Sequence, residues 1–354
     1  MALELSFRSL EEGAPGDAWR EVFQHGWPGW RDWFRKRGGG PTLAQSRQML
    51  RRHMPEMEPI WERLVAAAGA DDTAAQFLTF WNPPRYLVNC SQAVILDQDG
   101  PLLIRNYDLD PALNEGTLYK TCWHARQVMG MVEGMAGLAD GMNDAGLAVS
   151  LTFGGRIEYG TGFGIPLVMR YLLEFCADVD DAVAALRRIP AHMSYNLTLL
   201  DKAGAWATVM LSPDRPPMVS RNRFATNHQI WVELPRHGRE TLTVERAECL
   251  NRLTANPAIT GFDAARAFLR PPLFARGYDR GFGTVYTAAY RPLTGAMSLL
   301  WPDGTSQGWT FADFPRRRFR VRYYGQDGAP VPVPVTRCPS SQQGHTAHCP
   351  PSTA

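Results

Sequence analysis

Residues 89–108 read NCSQAVILDQDGPLLIRNYD, and this stretch decides the fold. Two apolar runs, 93–96 and 102–104, flank the turn signal DQDG at 97–100, which predicts a β-hairpin. A tight hairpin returns the end of its second strand to the start of its first, so we expect Cys90, Arg105 and Asp108 to lie together. Because a guanidinium group stabilises a thiolate, this clustering predicts a cysteine nucleophile.

The two motifs of the hairpin, Cys90-Ser91-Gln92 and Arg105-Asn106-Tyr107-Asp108, resemble a known enzyme class. They are similar to the linear-amide C–N hydrolases of the N-terminal-nucleophile (Ntn) class, which include bile-salt hydrolases and the penicillin-forming acyl-CoA:6-aminopenicillanate acyltransferase. The long segment before the cysteine is most similar to the acyltransferase branch. The resemblance covers residues 90–301 and implies an α+β protein, with the four-layer αββα sandwich of the Ntn hydrolases.

The resemblance also implies that the chain processes itself. In Ntn enzymes the nucleophile is the first residue of its chain, and its free α-amine acts as the general base, because an α-amine titrates near neutrality. Here 89 residues precede Cys90. The Asn89–Cys90 bond must therefore be cut, by attack of the thiol on the preceding carbonyl, an N-to-S acyl shift and hydrolysis of the thioester.

Further catalytic roles follow from the same resemblance. Asp108 is expected to fix the new α-amine, and Arg105 to orient the carboxylate and the thiol. Asn227, in the run ATNH at 225–228, is expected to donate to the oxyanion, and Arg246 to reach the active site from a helix. Relatives carry serine three residues before that arginine, where this chain has Thr243.

Ordinary structural explanations compete with these roles. The position of Cys90 also suits a structural cysteine buried among apolar residues. Arg105 and Asp108 also suit an ordinary salt bridge within the hairpin, and Asn227 suits an asparagine in a turn. Arg246 also suits an exposed helix arginine paired with a neighbouring glutamate.

Five side chains are candidates for substrate contact, and one of them departs from the family pattern. Thr152 stands where bile-salt hydrolases carry an asparagine, which leaves the second oxyanion donor open. The candidates are Tyr107, Thr152, Phe153, Asn196 and His228. The aromatic rings also suit a hydrophobic core.

Composition narrows the class of protein. The 354 residues carry a formal net charge of +2, which argues against a nucleic-acid or membrane-surface protein. No run of 18 apolar residues predicts a membrane span. Six scattered cysteines without a CxxC pair favour a reducing cytoplasm over a disulfide framework. We expect no cofactor and no metal; two cysteines and two histidines near the C-terminus offer only a weak alternative.

Three segments are predicted. Residues 1–89 form a helical pro-segment, which must bury its six tryptophans and is released or retained as a small subunit. Residues 90–325 form the catalytic domain, in which strands alternate with pairs of helices, an order that predicts sheets covered by helices. Residues 326–354 are rich in Pro, Ser and Gln and predict a disordered tail.

The sequence thus predicts a zymogen that matures into an Ntn cysteine hydrolase of linear amides. Its partners would be a small-molecule amide or acyl donor and its own processed fragment, in a heterodimer, with the higher oligomeric state left open. One alternative is an acyl-CoA-dependent N-acyltransferase. Another is an unprocessed, inactive homologue with a binding role.

Overall fold

The structure is a computed structural model that describes residues 3–36, 40–86, 89–325, 328–329 and 331 of the 354-residue chain. The helices in these residues are α1 (Asp17–Lys36), α2 (Leu43–His53), α3 (Glu58–Ala68), α4 (Asp72–Phe77), α5 (Ile165–Phe175), α6 (Val179–Arg188), α7 (Pro235–Glu240), α8 (Thr243–Ala255) and α9 (Gly261–Phe268). The strands are β1 (Glu4–Glu12), β2 (Asn89–Asp97), β3 (Gly100–Leu109), β4 (Thr117–Thr121), β5 (Val128–Glu133), β6 (Gly137–Asn143), β7 (Leu147–Phe153), β8 (Tyr195–Asp201), β9 (Trp206–Ser212), β10 (Arg215–Ser220), β11 (Phe224–Ala225), β12 (Gly283–Arg291), β13 (Ala296–Leu300), β14 (Ser306–Thr310) and β15 (Arg318–Arg322).

The strands form two sheets that pack face to face. The larger sheet has the order β10-β9-β8-β7-β6-β5-β4-β1-β15, and the smaller has the order β11-β2-β3-β12-β13-β14. Strands β2 and β3 contact β7 and β8 across the interface. Helices α5 and α6 pack on the larger sheet, and α8 and α9 pack on the smaller. The predicted four-layer αββα sandwich is confirmed.

The predicted hairpin of residues 89–108 is formed by β2 and β3. Asn89 pairs with Asp108 and Cys90 with Tyr107, and the turn closes at Gly100. Gly100 has a φ of 95°, a left-handed conformation that L side chains adopt only under strain. The turn therefore fixes which residues of β3 stand beside Cys90.

The predicted helical character of the pro-segment holds for α1–α4, but residues 4–12 differ. They form β1, which lies between β4 and β15, parallel to the first and antiparallel to the second. The alternation of polar and apolar residues in ELSFRSLEE suits a strand. Its partners lie more than a hundred residues away, so pairing was not visible in the sequence. The pro-segment is thus built into the larger sheet.

The tryptophans of the pro-segment find a common apolar environment. Trp19, Trp61 and Trp81 are buried, and Trp27, Trp30 and Trp33 are partly buried. The rings of Trp27 and Trp30 pack against Phe77, with centroids 5.4 and 5.6 Å away. The expectation that this segment is packed is confirmed for these residues.

Two further expectations concern membrane spans and the C-terminal tail. None of the helices within the described ranges combines the length and apolar character needed to cross a bilayer. The predicted disordered tail lies almost wholly outside the described residues, together with its cysteines and histidines.

The position of β1 generates a stability prediction. Phe7 is buried, and its ring lies 5.1 Å from that of Trp301 and 5.6 Å from that of Phe319. In the chain carrying Cys90→Ala, which cannot change its covalent state, Phe7→Ala should lower the free energy of unfolding by about 3–5 kcal/mol. Urea denaturation measures the change.

The matched control is Phe262→Ala, because the Phe262 side chain is 71% exposed and should cost little. Equal, small effects of the two substitutions would contradict a structural role for β1.

Candidate active site

The thiol of Cys90 lies at the centre of the buried interface between the two sheets. Cys90 is fully buried as the second residue of β2. Its Sγ accepts a hydrogen bond from Arg105 Nη2 at 2.6 Å, and the backbone N–H of Asp108 also donates to it. The hairpin therefore brings together the three residues that it was predicted to cluster.

Arg105 does not pair with Asp108, contrary to the salt bridge considered from the sequence. Its Nη1 lies 2.9 Å from Asp140 Oδ2 on β6, and both side chains are completely buried. Tyr286 and Tyr290 donate their hydroxyls to the same carboxylate. The two side chains of β3 point in different directions. Arg105 points into the interface between the sheets, where it contacts Asp140, whereas Asp108 points toward helix α8.

Asp108 pairs instead with Arg246 of α8. Arg246 Nη1 lies 2.9 Å from Asp108 Oδ2, and the hydroxyl of Thr284 donates to the other carboxylate oxygen at 2.6 Å. Arg246 is 1% exposed, so the exposed helix arginine considered from the sequence is wrong. A charge buried so deeply is stable only when it is paired.

The side chains of Arg246 and Asn227 form hydrogen bonds with the backbone carbonyl and N–H of Cys90, respectively. Arg246 Nη1 donates to the carbonyl of Cys90 at 3.2 Å and to Ser91 Oγ at 3.0 Å, while its Nη2 donates to Asn227 Oδ1 at 2.6 Å. The same Asn227 oxygen accepts from the N–H of Cys90 at 3.3 Å. The amide that would become the α-amine is thus held by Asn227.

Burial dominates the electrostatics of the thiol. It raises the pKa of Cys90 to about 12, although Arg105 acts in the opposite direction. Burial likewise raises the pKa of Asp108, against the attraction of Arg246. For Arg105, burial would lower the pKa, but Cys90 and Asp140 raise it. In the uncut chain Cys90 is therefore a protonated thiol beside a permanent cation.

The two aromatic candidates for substrate contact, Tyr107 and Phe153, lie close to the residues that surround the thiol. The ring of Tyr107 lies under the guanidinium of Arg105 at 4.7 Å, and its hydroxyl donates to Glu133. Phe153 is buried, and its carbonyl accepts from Asn227 Nδ2 at 3.4 Å. These two residues contact members of the cluster around Cys90.

Three polar candidates form a separate network behind Asn227. Asn196 Nδ2 donates to Thr152 Oγ1 and to the carbonyls of Thr226 and His228. The ring of His228 bonds to the hydroxyls of Thr226 and Thr243. Burial and the nearby Arg246 lower the pKa of His228. No bond between these three residues and Cys90 is seen, and the network supports the loop that carries Asn227.

Several residues of the site were missed in the sequence. Asp140 and Glu133 are buried acids in strands whose other residues are mostly apolar or small, a pattern that is visible in the sequence. His237 Nε2 lies 2.8 Å from Asn89 Oδ1, beside the Asn89–Cys90 bond, and burial lowers the pKa of His237 to about 4. Nothing in the pattern around His237 distinguishes it from an ordinary helix residue.

Two buried acids lie on the pro-segment side of Tyr107. Burial raises the pKa of Glu133 to about 8 and that of Glu115 to about 7. Glu115 accepts from Trp30 of the pro-segment and from the backbone N–H groups of Gly134 and Met135. A protonatable group thus lies where residues of α1 meet the loop before β4.

The described residues offer no set of metal ligands. No group of three or more His, Cys, Asp or Glu side chains within them is arranged to hold an ion. Cys90, Cys122, Cys176 and Cys249 are free thiols.

The raised pKa of Glu133 generates a prediction of pH dependence. A carboxyl that binds its proton more tightly in the folded chain contributes stability that is complete below its unfolded pKa and is lost as pH rises through the folded pKa. Between about pH 5 and pH 8, the free energy of unfolding should therefore fall less in Glu133→Gln than in the parent. The exposed Glu248→Gln on α8 is the control. Equal pH slopes for Glu133→Gln and the parent would refute a neutral, buried Glu133.

Solved structures similar to this chain are hydrolases and acylases. A mutant conjugated bile acid hydrolase from Clostridium perfringens has a TM-score of 0.49 at 12% identity, covering 65% of this chain and 96% of that one. A penicillin V acylase from Agrobacterium tumefaciens has a TM-score of 0.43 at 13% identity, covering 63% and 86%. A Caenorhabditis elegans ortholog of N-acylethanolamine-hydrolyzing acid amidase has a TM-score of 0.43 at 15% identity, covering 66% and 100%.

The family itself is shown by a comparison of sequence. No curated protein matches the chain. The family model described as acyl-coenzyme A:6-aminopenicillanic acid acyl-transferase matches residues 95–305, more than half of the 354 residues. The match includes Arg105, Asp108, Asn227 and Arg246 and begins just after Cys90. The chain therefore belongs to the acyl-coenzyme A:6-aminopenicillanic acid acyl-transferase family, which is of the Ntn-hydrolase type.

Proposed function

We propose that this chain is a self-processing Ntn cysteine amidohydrolase that cleaves a linear, non-peptide amide through an acyl-Cys90 thioester. One observation carries the proposal: the buried thiol, Arg105 and the buried Arg246–Asp108–Asn227 frame converge on the Asn89–Cys90 junction. An unrelated structural cysteine requires none of these contacts.

Self-processing begins with attack of Cys90 Sγ on the carbonyl carbon of Asn89. The carbon–nitrogen bond breaks, the α-amine takes up the thiol proton, and the acyl group moves to sulfur. Arg105, 2.6 Å from Sγ, stabilises the negative charge that develops on sulfur. Cleavage of the carbon–sulfur bond of this thioester then frees the thiol, and the α-amine, which remains beside Asn227, takes over as general base.

Turnover reuses the same parts. The α-amine removes the thiol proton, and sulfur attacks the carbonyl of the substrate amide. The carbon–nitrogen bond of the amide breaks, and the leaving amine takes the proton from the α-ammonium group. Water then attacks the acyl-Cys90 thioester, which releases the acid and restores the thiol. Asn227 Nδ2 is the candidate donor to the oxyanion, a role typically worth about 3 kcal/mol. Asp108 and Arg246 position the α-amine and Asn227 rather than reacting themselves. Tyr107 and Phe153, both buried near the thiol, are our candidates for contact with the acyl part of the substrate.

Acyl transfer is the second candidate, and the family match favours it. The donor would be an acyl-CoA thioester and the acceptor an amine. Both reactions share the acyl-Cys90 thioester, so they differ only in whether water or an amine attacks it. Mass spectrometry of the products with and without an amine acceptor distinguishes them, and we expect water to compete well. An unprocessed homologue with a binding role would show neither reaction.

The organisation of the mature enzyme follows from the fold. After cleavage, residues 1–89 should remain bound as a small subunit, because β1 forms part of the larger sheet. The mature protein would then be a heterodimer of fragments 1–89 and 90–354. A cytoplasmic location stays a prediction from the scattered cysteines.

The processing step gives the direct test. Purified protein should contain two fragments, the second beginning at Cys90, that elute together under native conditions and separate in denaturant. Cys90→Ala should remain full length because it lacks the attacking thiol. Cys249→Ala, which changes a thiol on α8 outside the cluster, should process normally. A wild-type chain that stays in one piece would refute the active Ntn assignment; intact-mass spectrometry and N-terminal sequencing give the readout.

A further inference from the structure

The residue before the nucleophile is itself held by a side chain of the site. Asn89 Oδ1 lies 2.8 Å from Nε2 of His237 on α7. The His237 ring meets Phe153 edge-on, with centroids 5.4 Å apart, and its Nδ1 is buried without a hydrogen-bond partner. With Oδ1 as the acceptor, the proton of the ring lies on Nε2. His237 therefore orients the Asn89 amide, and hydrolysis of the Asn89–Cys90 bond does not require such a contact.

The processing thioester differs from a substrate thioester in one respect, because its acyl group carries a side-chain amide close to the carbonyl carbon. Cys90 and Asp108 are fully buried, and Asn227 and Arg246 are each 1% exposed. Asn89 itself is only partly buried, so its side-chain amide must outcompete water rather than act where water is excluded. The amide nitrogen of Asn89 is attached, through four bonds, to the carbonyl carbon that must be attacked. Intramolecular groups of this kind reach effective molarities of about 10⁵–10⁸ M.

We propose that the Asn89 side-chain amide, positioned by His237, resolves the processing thioester in place of water. This rests on the proposed self-processing and concerns only its last step. After the acyl shift, Asn89 is no longer part of the continuous backbone of β2, so its carbonyl can turn toward its own side chain. His237 is a positioning residue in this step.

The step balances without an added reactant. Nδ2 of Asn89 attacks its own carbonyl carbon, forming a carbon–nitrogen bond and closing a five-membered succinimide. The carbon–sulfur bond breaks, and the proton lost by Nδ2 ends on Cys90 Sγ. The products are a pro-segment with a C-terminal succinimide, lighter by one water molecule than the hydrolytic product, and a chain that begins with a free Cys90.

The experiment uses freshly synthesised full-length chain that matures in water labelled with heavy oxygen. Samples are quenched in acid at early times and digested with trypsin, which cuts after Arg85 and releases the tetrapeptide of residues 86–89. The expected tetrapeptide is lighter by one water molecule and carries no label. A tetrapeptide that bears a labelled carboxylate from the earliest time would overturn the inference.

Two variants separate positioning from folding. Asn89→Gln can still bond to His237 but closes a six-membered ring, so cleavage should slow by about tenfold or more, and a labelled carboxylate should appear. His237→Gln should raise the labelled fraction, whereas the exposed His25→Gln on α1 should not. A labelled fraction that is unchanged in His237→Gln would remove the positioning role.

The outcomes also separate this step from the proposed function. Cleavage at Cys90 with a labelled product refutes only the succinimide step. Absence of any cleavage in the wild-type chain refutes the proposed function and this inference with it.

Discussion

The site depends on one buried ion pair, that between Arg246 and Asp108. Both side chains are removed from water, so each needs the other: removing one partner of such a pair typically costs about 3–5 kcal/mol. The pair also joins helix α8 to the hairpin. From that position the guanidinium reaches the carbonyl of Cys90 and the side chain of Asn227. The geometry of the cleavage junction is therefore fixed by an interaction between layers of the sandwich.

A second buried pair, Arg105 with Asp140, supports the thiol from the opposite side. It links β3 to β6 and thus joins the two sheets directly across their interface. The two arginines contact different atoms of the same residue, one the sulfur and the other the backbone. Cys90 is held between two cations, each neutralised by its own aspartate. Such a site can stabilise charge on sulfur without leaving an unpaired charge in the core.

The sequence predicted the local part of this arrangement and missed the long-range part. The hairpin and the clustering of its two ends followed from turn chemistry, and the helical position of Arg246 followed from the family resemblance. The sequence suggested the wrong partner for Arg105. Asp140 lies on β6 in the other sheet, and the rules of strand pairing do not predict which strands of two sheets face each other. β1 was missed for a similar reason, since its neighbours β4 and β15 are far away in the chain. Local patterns specify elements, whereas partners across layers depend on how the elements assemble.

We propose that the Arg246–Asp108 pair holds the Asn89–Cys90 junction in the geometry that permits self-cleavage. The most direct measurement is the first-order rate of self-cleavage in full-length Asp108→Asn, with the exposed Asp99→Asn as the control and circular dichroism to establish folding. The account predicts that folded Asp108→Asn is slowed by about 10²-fold or more, as for loss of a residue that orients the reacting groups. A folded Asp108→Asn chain that cleaves at the rate of the parent would contradict it.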